Sequence, residues 1–287
     1  MKKTGVLCGL VWAAFSAASW AADLPDWFKG KENDSASQYR LAQAYDEGKD
    51  GVAEDKAQAA KWFTKSAEGG YTNAQFSLAR MYHTGNGVPV DLAKAVKWYT
   101  KAAQAGDEVA QNNLAVMYDT GEGVPIDKTK AFEWYTKAAQ AGYAPAQHNL
   151  ALMHYSSRSS AADQAKAIEW CTKAAEAGET EAQYNLALTY VSGEGVPQDV
   201  VKAAEWFTKA AESGHADAQL NLALLNWNGV GVERDKVRAY YWACRADLAG
   251  ADKAVGLRSE IVGSLDKETK RAQEERARAH DAKVRRK

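Results

Sequence analysis

The stretch that decides the fold is residues 94–103, KAVKWYTKAA, which recurs in closely related forms along the chain. Its tryptophan returns at a constant interval of 36 residues, at Trp62, Trp98, Trp134, Trp170, Trp206 and Trp242. A fixed period of roughly 20 to 50 residues marks a repeat protein whose units bury their apolar faces against their neighbours. Aromatic residues at such a spacing are typical of a core, so we expect each tryptophan to wedge between helix pairs rather than to bind a ligand.

One unit, residues 110–145, illustrates the pattern of two helices joined by a turn. In AQNNLAVMY at 110–118 the apolar residues recur at i, i+4, i+7 and i+8, which predicts a first helix, called helix A. The turn GEGVPID at 121–127 combines glycines that permit positive φ, a proline that stops the helix, and Asp127 as the cap of the next helix. Helix B then follows, and it is predicted to end near Gly142.

The full pattern, A-x-x-x-L-[GA]-x-x-Y-x-x-G-x-G-V-x-x-D-x-x-K-A-x-x-W-[YF]-x-K-A-A-x-x-G, covers residues 37–250 and resembles the Sel1-like repeat of the tetratricopeptide-like families. The chain is therefore expected to be all-α, a right-handed α-solenoid of six 36-residue helix-turn-helix repeats with a C-terminal capping helix. By similarity to tetratricopeptide repeats, the helix A residues beside the framework leucine are expected to face a concave groove.

The predicted organisation has four parts. A signal peptide is expected at 1–21, followed by an N-terminal segment at 22–36. Six repeats are expected over 37–253, at about 37–73, 74–109, 110–145, 146–181, 182–217 and 218–253. The remainder, 254–287, is expected to form a capping helix and a basic charged tail.

The N-terminus has the features of an export signal. Lys2 and Lys3 precede an apolar stretch from Val6 to Trp20, and small residues stand three positions and one position before a cleavage point after Ala21. The apolar run is short for a membrane span, and no second such segment follows. We therefore expect a mature protein in the periplasm or secreted, without a transmembrane segment after cleavage.

The charge of the chain argues against nucleic acid as a partner, and its distribution distinguishes the C-terminal tail from the rest of the chain. The chain has 36 Lys and Arg against 37 Asp and Glu, which lacks the basic excess that nucleic-acid binding needs. Residues 267–287 hold nine basic and four acidic side chains, while the body at 22–266 carries 25 − 33 = −8. Such a tail could contact anionic envelope components, or it could be a solvated and partly frayed helix.

The sequence predicts no catalytic residue, no metal site and no cofactor. Serine-hydrolase, zinc-protease, P-loop and dinucleotide motifs are missing, and the five histidines lack metal-ligand spacing. Ser264-Leu265-Asp266-Lys267 matches the Ser-x-x-Lys of penicillin-interacting enzymes, but its companion motifs do not occur. Some disulfide-rich Sel1-like proteins bind or hydrolyse β-lactams, whereas Cys171 and Cys244 are expected to be small buried thiols two repeats apart, beyond disulfide reach.

The candidate binding residues lie in helix A. The position before the framework leucine is asparagine in four repeats, at Asn113, Asn149, Asn185 and Asn221. An amide offers a donor and an acceptor, so this ladder could hold the backbone of an extended peptide, or it could bond carbonyls of the adjacent repeat and merely fix the stacking. The residue before each asparagine varies between repeats, and His148 and Tyr184 are expected to help select a partner's side chains. Repeat 4 also replaces the glycine turn with a serine-rich one at 156–162, which could be a binding loop or simple drift.

These features predict a periplasmic adaptor or scaffold, not an enzyme, that binds protein or peptide partners on the concave helix A surface. The chain is expected to be a monomer. Two alternatives are a cell-wall protein that binds or hydrolyses peptidoglycan or β-lactams, and a purely structural scaffold.

Overall fold

The computed structural model describes residues 24–157 and 160–284, and within these ranges the chain is entirely helical. The chain divides into an N-terminal unit that ends at Ala105 and a C-terminal unit that begins at Gly106. The expected signal peptide at 1–21 lies outside the described residues. The all-helical tandem architecture confirms the prediction of an α-solenoid built from helix pairs.

The N-terminal unit contains two helical pairs. Its helices are α1 (Ser35–Glu47), α2 (Lys56–Glu68), α3 (Thr72–Thr84) and α4 (Leu92–Gln104). The segment before α1 covers the first pair, because the fully buried Phe28 ring meets the Trp62 ring edge to face with their centroids 5.1 Å apart. The part of the chain that precedes the repeats thus closes the apolar face that a first repeat would otherwise expose.

The C-terminal unit contains four helical pairs and two terminal helices within its described residues. The pairs are α5 (Glu108–Thr120) with α6 (Lys128–Gln140), α7 (Ala144–Ser157) with α8 (Ala161–Glu176), α9 (Thr180–Ser192) with α10 (Val200–Glu212), and α11 (Ala216–Asn228) with α12 (Lys236–Leu248). The terminal helices are α13 (Ala254–Val262) and α14 (Lys267–Val284).

The turn chemistry follows the sequence prediction. Helix α5 ends at Gly121, which has φ 82°, and the Asp127 side chain accepts a hydrogen bond from the Lys130 backbone N–H to cap α6. Four other second helices in the chain begin after an equivalent aspartate, whereas α8 begins after Ser160. Each cap satisfies a backbone donor that the first turn of a helix leaves without a partner.

The tryptophans connect consecutive repeats, although not all are deeply buried. Trp170 packs against the apolar cluster around Tyr135 and also against the next cluster around Leu186. Trp206 and Trp242 bridge the following clusters in the same way. Trp62 and Trp98 are 3% and 7% exposed, but the other four are only half-buried, so the expectation of full core burial holds for the first two.

Each of the six repeating tryptophans has a cation over its ring, a contact that the sequence analysis missed. A Lys or Arg three residues further along helix B places its charge 3.7–5.0 Å from the ring centroid. The six cations are Lys65, Lys101, Lys137, Lys173, Lys209 and Arg245. Residues three apart on a helix are neighbours, so the W-x-x-[KR] spacing in the sequence could have predicted these cation–π contacts.

Buried glutamines also join the repeats. Gln147 in α7 donates to the Ala139 carbonyl near the end of α6, at 3.1 Å, and Gln183 bonds to Ala175 in the same way. Gln219 repeats the contact once more, and Gln75 makes it within the N-terminal unit. Each of these carbonyls also accepts a backbone N–H of the following turn, so the glutamine adds a second hydrogen bond and holds the next helix A against helix B.

The C-terminal cap consists of two helices rather than the single one expected. Leu257 and Ile261 of α13 and Ala277 of α14 are buried in one cluster with residues of α12. Tyr240 donates to Glu274 at 2.7 Å, and the Arg276 guanidinium lies 4.7 Å from the Tyr241 ring centroid. The basic helix α14 therefore packs against α12 through Ala277 and through the side chain of Arg276. A long arginine side chain can cover aromatic surface while its charge stays in water.

We predict that Gly231 is among the most sensitive turn positions. Its φ is 71°, and a Cβ there would overlap the Val200 carbonyl at the start of α10. Gly231→Ala should lower the free energy of unfolding by about 3 kcal/mol through left-handed strain and the clash. Gly250→Ala is the matched control, since Gly250 has φ 85° but open space around it, and it should cost about 1 kcal/mol. Equal losses in urea unfolding would show that the close approach is unimportant.

Candidate functional site

The predicted asparagines bond to side chains of the preceding repeat. Asn149 donates through Nδ2 to Oδ1 of Asn112, at 3.0 Å. The Nδ2 of Asn185 lies 2.8 Å from Nε2 of His148, so His148 accepts this bond in its neutral form. Asn149 and Asn185 therefore each bond to the variable residue of the preceding repeat.

Tyr184 and Asn221 form the third member of the series. Burial raises the pKa of Tyr184 above its ordinary value, and a hydrogen bond from Asn221 to the hydroxyl partly opposes that rise. The Tyr184 ring also stacks on His215, with the centroids 4.2 Å apart. Asn113, at the start of the series, is half-buried on α5.

Exposed leucines accompany these polar pairs. Leu152, Leu188 and Leu224 each follow an asparagine by three positions, and they are 46%, 39% and 37% exposed. Residues three apart share one side of a helix, so the asparagines and leucines form one surface on α5, α7, α9 and α11. We call this the helix A surface of the C-terminal unit.

A cavity of about 450 Å³ opens on this surface at the fourth and fifth repeats. Two predicted residues, His148 and Asn185, line it together with Leu152, Leu188 and Cys171. The other predicted residues, Asn113, Asn149, Tyr184 and Asn221, are not among its lining residues. A cavity of this size with mainly apolar walls and a few polar groups has the character of a ligand pocket.

Cys171 is the lining residue whose role the sequence analysis missed. It was expected to be a small buried thiol, and it is indeed free and buried, with Sγ 3.4 Å from the Ala182 carbonyl. Burial raises the pKa of this thiol to about 11, so it stays protonated and unreactive at neutral pH. The available signal was its place directly after Trp170, where four other repeats carry Phe or Tyr.

The altered turn of repeat 4 borders a second cavity of about 350 Å³. His154 is buried there with Nδ1 3.7 Å from Asp163, and the Ser160 hydroxyl bonds to the same carboxylate at 2.8 Å. The hydroxyl of Tyr155, which lines both cavities, donates to Glu194 at 2.6 Å. Residues 158 and 159, in the middle of the serine-rich turn, lie outside the described residues.

Three further features concern the metal, catalytic and membrane predictions. No group of three or more His, Cys, Asp or Glu within 24–157 and 160–284 is placed to hold a metal ion. Ser264, the serine of the Ser-x-x-Lys match, donates its hydroxyl to the Ile261 carbonyl at 2.7 Å. A search for membrane-spanning helices in the same ranges finds none with the necessary length and apolarity.

The chain belongs to the Sel1 repeat family. Its Sel1 repeat profile matches six consecutive units, at 35–71, 72–107, 109–143, 144–179, 180–215 and 216–246. Proteins built from Sel1 repeats are in general scaffolds for protein interaction rather than catalysts. A comparison with curated protein sequences finds no match.

Two solved structures show how far the likeness extends. A Sel1 repeat protein from Oxalobacter formigenes is 29% identical, with a TM-score of 0.65, over 75% of this chain and 86% of that one. The protective antigen c5321 of uropathogenic Escherichia coli, which displays the same repeat fold, is 29% identical with a TM-score of 0.55. That match covers 88% of this chain but only 62% of the antigen.

We predict that His148 makes stability depend on pH. Burial lowers its pKa from the usual 6.5, and the carboxylates of Glu179 and Glu181 only partly oppose this. The unfolded chain therefore binds a proton at a higher pH than the folded chain does. The stability that neutral His148 contributes is complete above about pH 6.5 and is lost as the pH falls towards the lowered value.

His148→Asn isolates this effect, because it recreates the amide pair that Asn112 and Asn149 form one repeat earlier. The urea midpoint of the original chain should fall more than that of the variant between about pH 7.5 and about pH 5. Parallel pH profiles would mean that His148 titrates alike in the folded and unfolded states.

Proposed function

We propose that the mature chain is an exported adaptor that binds an extended segment of a protein partner along the helix A surface of the C-terminal unit. One observation carries this proposal: leucines that point to solvent recur every 36 residues beside polar pairs on the same helix faces. A folded protein has no structural need to repeat an exposed leucine, and exposed apolar patches rimmed by polar groups are typical of interaction sites.

The asparagines have a second role in this proposal. Asn149 and Asn185 each use one amide hydrogen to join two repeats, and an amide has a further donor and an acceptor oxygen. We propose that Asn113, Asn149, Asn185 and Asn221 offer these remaining groups to the backbone of the partner. His148 and Tyr184, which they contact or adjoin, would then select its side chains.

The leucines supply the sharpest test, because the asparagines also support stacking. Peptides selected from a displayed library of random linear sequences against the mature chain should bind the helix A surface. Leu188→Ser with Leu224→Ser should weaken the selected peptides by about tenfold or more, as expected for the loss of two partly buried leucine contacts. The melting temperature should change little, since both side chains are exposed.

The matched control is Val201→Ser with Val237→Ser, which removes two exposed apolar residues from α10 and α12. This variant should bind the selected peptides normally. If both double variants lose binding equally, or if neither does, the helix A surface is not the binding surface.

Export is the second part of the proposal, and it rests on the residues at the N-terminus. Lys2 and Lys3, the apolar stretch to Trp20 and the small residues before Ala22 are together typical of a cleaved signal. When the full chain is produced in a Gram-negative host, the periplasmic fraction should contain a protein that begins at Ala22. Recovery of an intact Met1 in the membrane fraction would contradict export by cleavage.

A further inference from the structure

The cavity between the fourth and fifth repeats lies beside a position at which most repeats carry an aromatic ring. The residue directly after the tryptophan is Phe63, Tyr99, Tyr135 and Phe207 in four repeats, and all four are at most 4% exposed. In repeat 6 this position is Ala243, which is buried in one cluster with Leu257 and Ile261 of α13, whereas in repeat 4 it is Cys171, whose side chain lines the cavity. A thiol fills far less space than a phenyl or phenol ring, so the space beside Cys171 is open to the surface.

The neighbouring repeat shows what occupies this position elsewhere. In repeat 5 the Phe207 ring packs against Tyr184 of helix A, with the centroids 5.8 Å apart. The residues of repeat 4 that correspond to this pair are Cys171 and His148, and both line the cavity. Repeat 4 therefore keeps a ring at the position of Tyr184, the imidazole of His148. At the position of Phe207 it has the thiol of Cys171 instead of a ring.

The walls suit an aromatic ring. Leu152, Ile168 and Leu188 supply apolar surface, and the imidazole of His148 supplies a flat ring on which another ring can stack. One repeat further along, the Tyr184 and His215 rings stack in this way. A thiol sulfur also contacts aromatic edges favourably. An entering ring would have apolar walls, an imidazole face and a sulfur, much as the internal rings have in the other repeats.

Charge indicates what stands next to that ring. The carboxylates of Glu179 and Glu181 act on His148 from the start of α9, and Glu194 lies on the border of the cavity. This part of the surface is negative, in keeping with the acidic body of the chain. A cationic neighbour in the ligand would be attracted to it, whereas an anionic one would be repelled.

We infer that the Cys171 cavity is an anchor site for an aromatic side chain of the partner, followed or preceded by Lys or Arg. This inference rests on the proposed function and specifies the partner segment that the helix A surface takes. The partner would supply in trans the ring that the repeat lacks at Cys171.

The test uses acetyl-Phe-Lys-amide as a probe, with acetyl-Leu-Lys-amide and acetyl-Phe-Glu-amide as comparisons. In an NMR titration of the mature chain, the Phe-Lys probe should shift the amide signals of residues that line the cavity. It should bind at least about fivefold more tightly than either comparison. Equal affinity for the leucine probe would overturn the aromatic assignment, and a response elsewhere on the chain would overturn the site.

Cys171→Phe is the decisive variant, because it restores the residue that repeat 5 has at this position. It should abolish probe binding while keeping or raising the melting temperature. Cys171→Ala leaves the cavity open and should retain binding, and Cys244→Ala controls for the loss of a buried thiol outside the cavity. If Cys171→Phe does not fold, Leu188→Lys blocks the cavity from an exposed position and should have the same effect.

The outcomes separate this inference from the proposed function. If selected peptides lose binding with Leu224→Ser but not with Cys171→Phe, the helix A surface is correct and the anchor site is wrong. If the probe binds as described but no linear peptide is selected, the anchor site is supported and the extended binding mode is wrong. Binding of the probe that survives Cys171→Phe would overturn the anchor site directly.

Discussion

The C-terminal unit depends on the contacts by which Trp170, Trp206 and Trp242 each join the apolar clusters of two consecutive repeats. A single helical pair of this chain cannot cover its own apolar face, so the indole of one repeat completes the core of its neighbour. The cation three residues later covers the outer side of the ring and keeps that half-buried surface in contact with a charge rather than with water alone. The buried glutamines also join consecutive repeats, because each donates a second hydrogen bond to a carbonyl that already accepts one from a backbone N–H at the end of helix B.

Because other residues hold the repeats together, the residues of the helix A surface can differ from one repeat to the next. The contacts that hold the repeats together come from helix B tryptophans and from glutamines on the inner side of helix A. The asparagines add polar bonds whose partner differs between repeats: an amide for Asn149 and an imidazole for Asn185. The surface thus changes its chemistry from one repeat to the next while the spacing of the helices stays constant.

The periodicity of the sequence was enough to predict the helices, the turns and the caps, because these depend on residues close together in the chain. Gly121 and Asp127 act as their local patterns required. The partner of each asparagine could not be predicted in this way, since it lies 37 residues earlier and is reached only once the helices stack. The packing of α14 was missed for a related reason, because its many charges conceal the stripe around Ala277 that meets α12.

The candidate site illustrates the same limit. His148 and Asn185 were identified from their place in the repeat, and the structure brings them to one cavity. The residue that creates the cavity, Cys171, was noted only as an unpaired thiol, because a sequence pattern records which residue is present and not how much space it leaves. Comparing that position across the six repeats would have marked Cys171 and Ala243 as the two without a ring, and only the structure shows that α13 covers Ala243 while Cys171 lines a cavity.

The position after each tryptophan has a consequence for how such chains diversify. Tyr135 and Phe207 are held by the same frame as Cys171, yet neither takes part in the glutamine bonds or the cation contacts that join the repeats. Exchanging a ring for a small side chain there can open a cavity in one repeat, as at Cys171, while the glutamine bonds and the cation contacts stay in place. A repeat protein of this kind can therefore gain or lose a binding pocket through a single substitution at this position, which recurs every 36 residues.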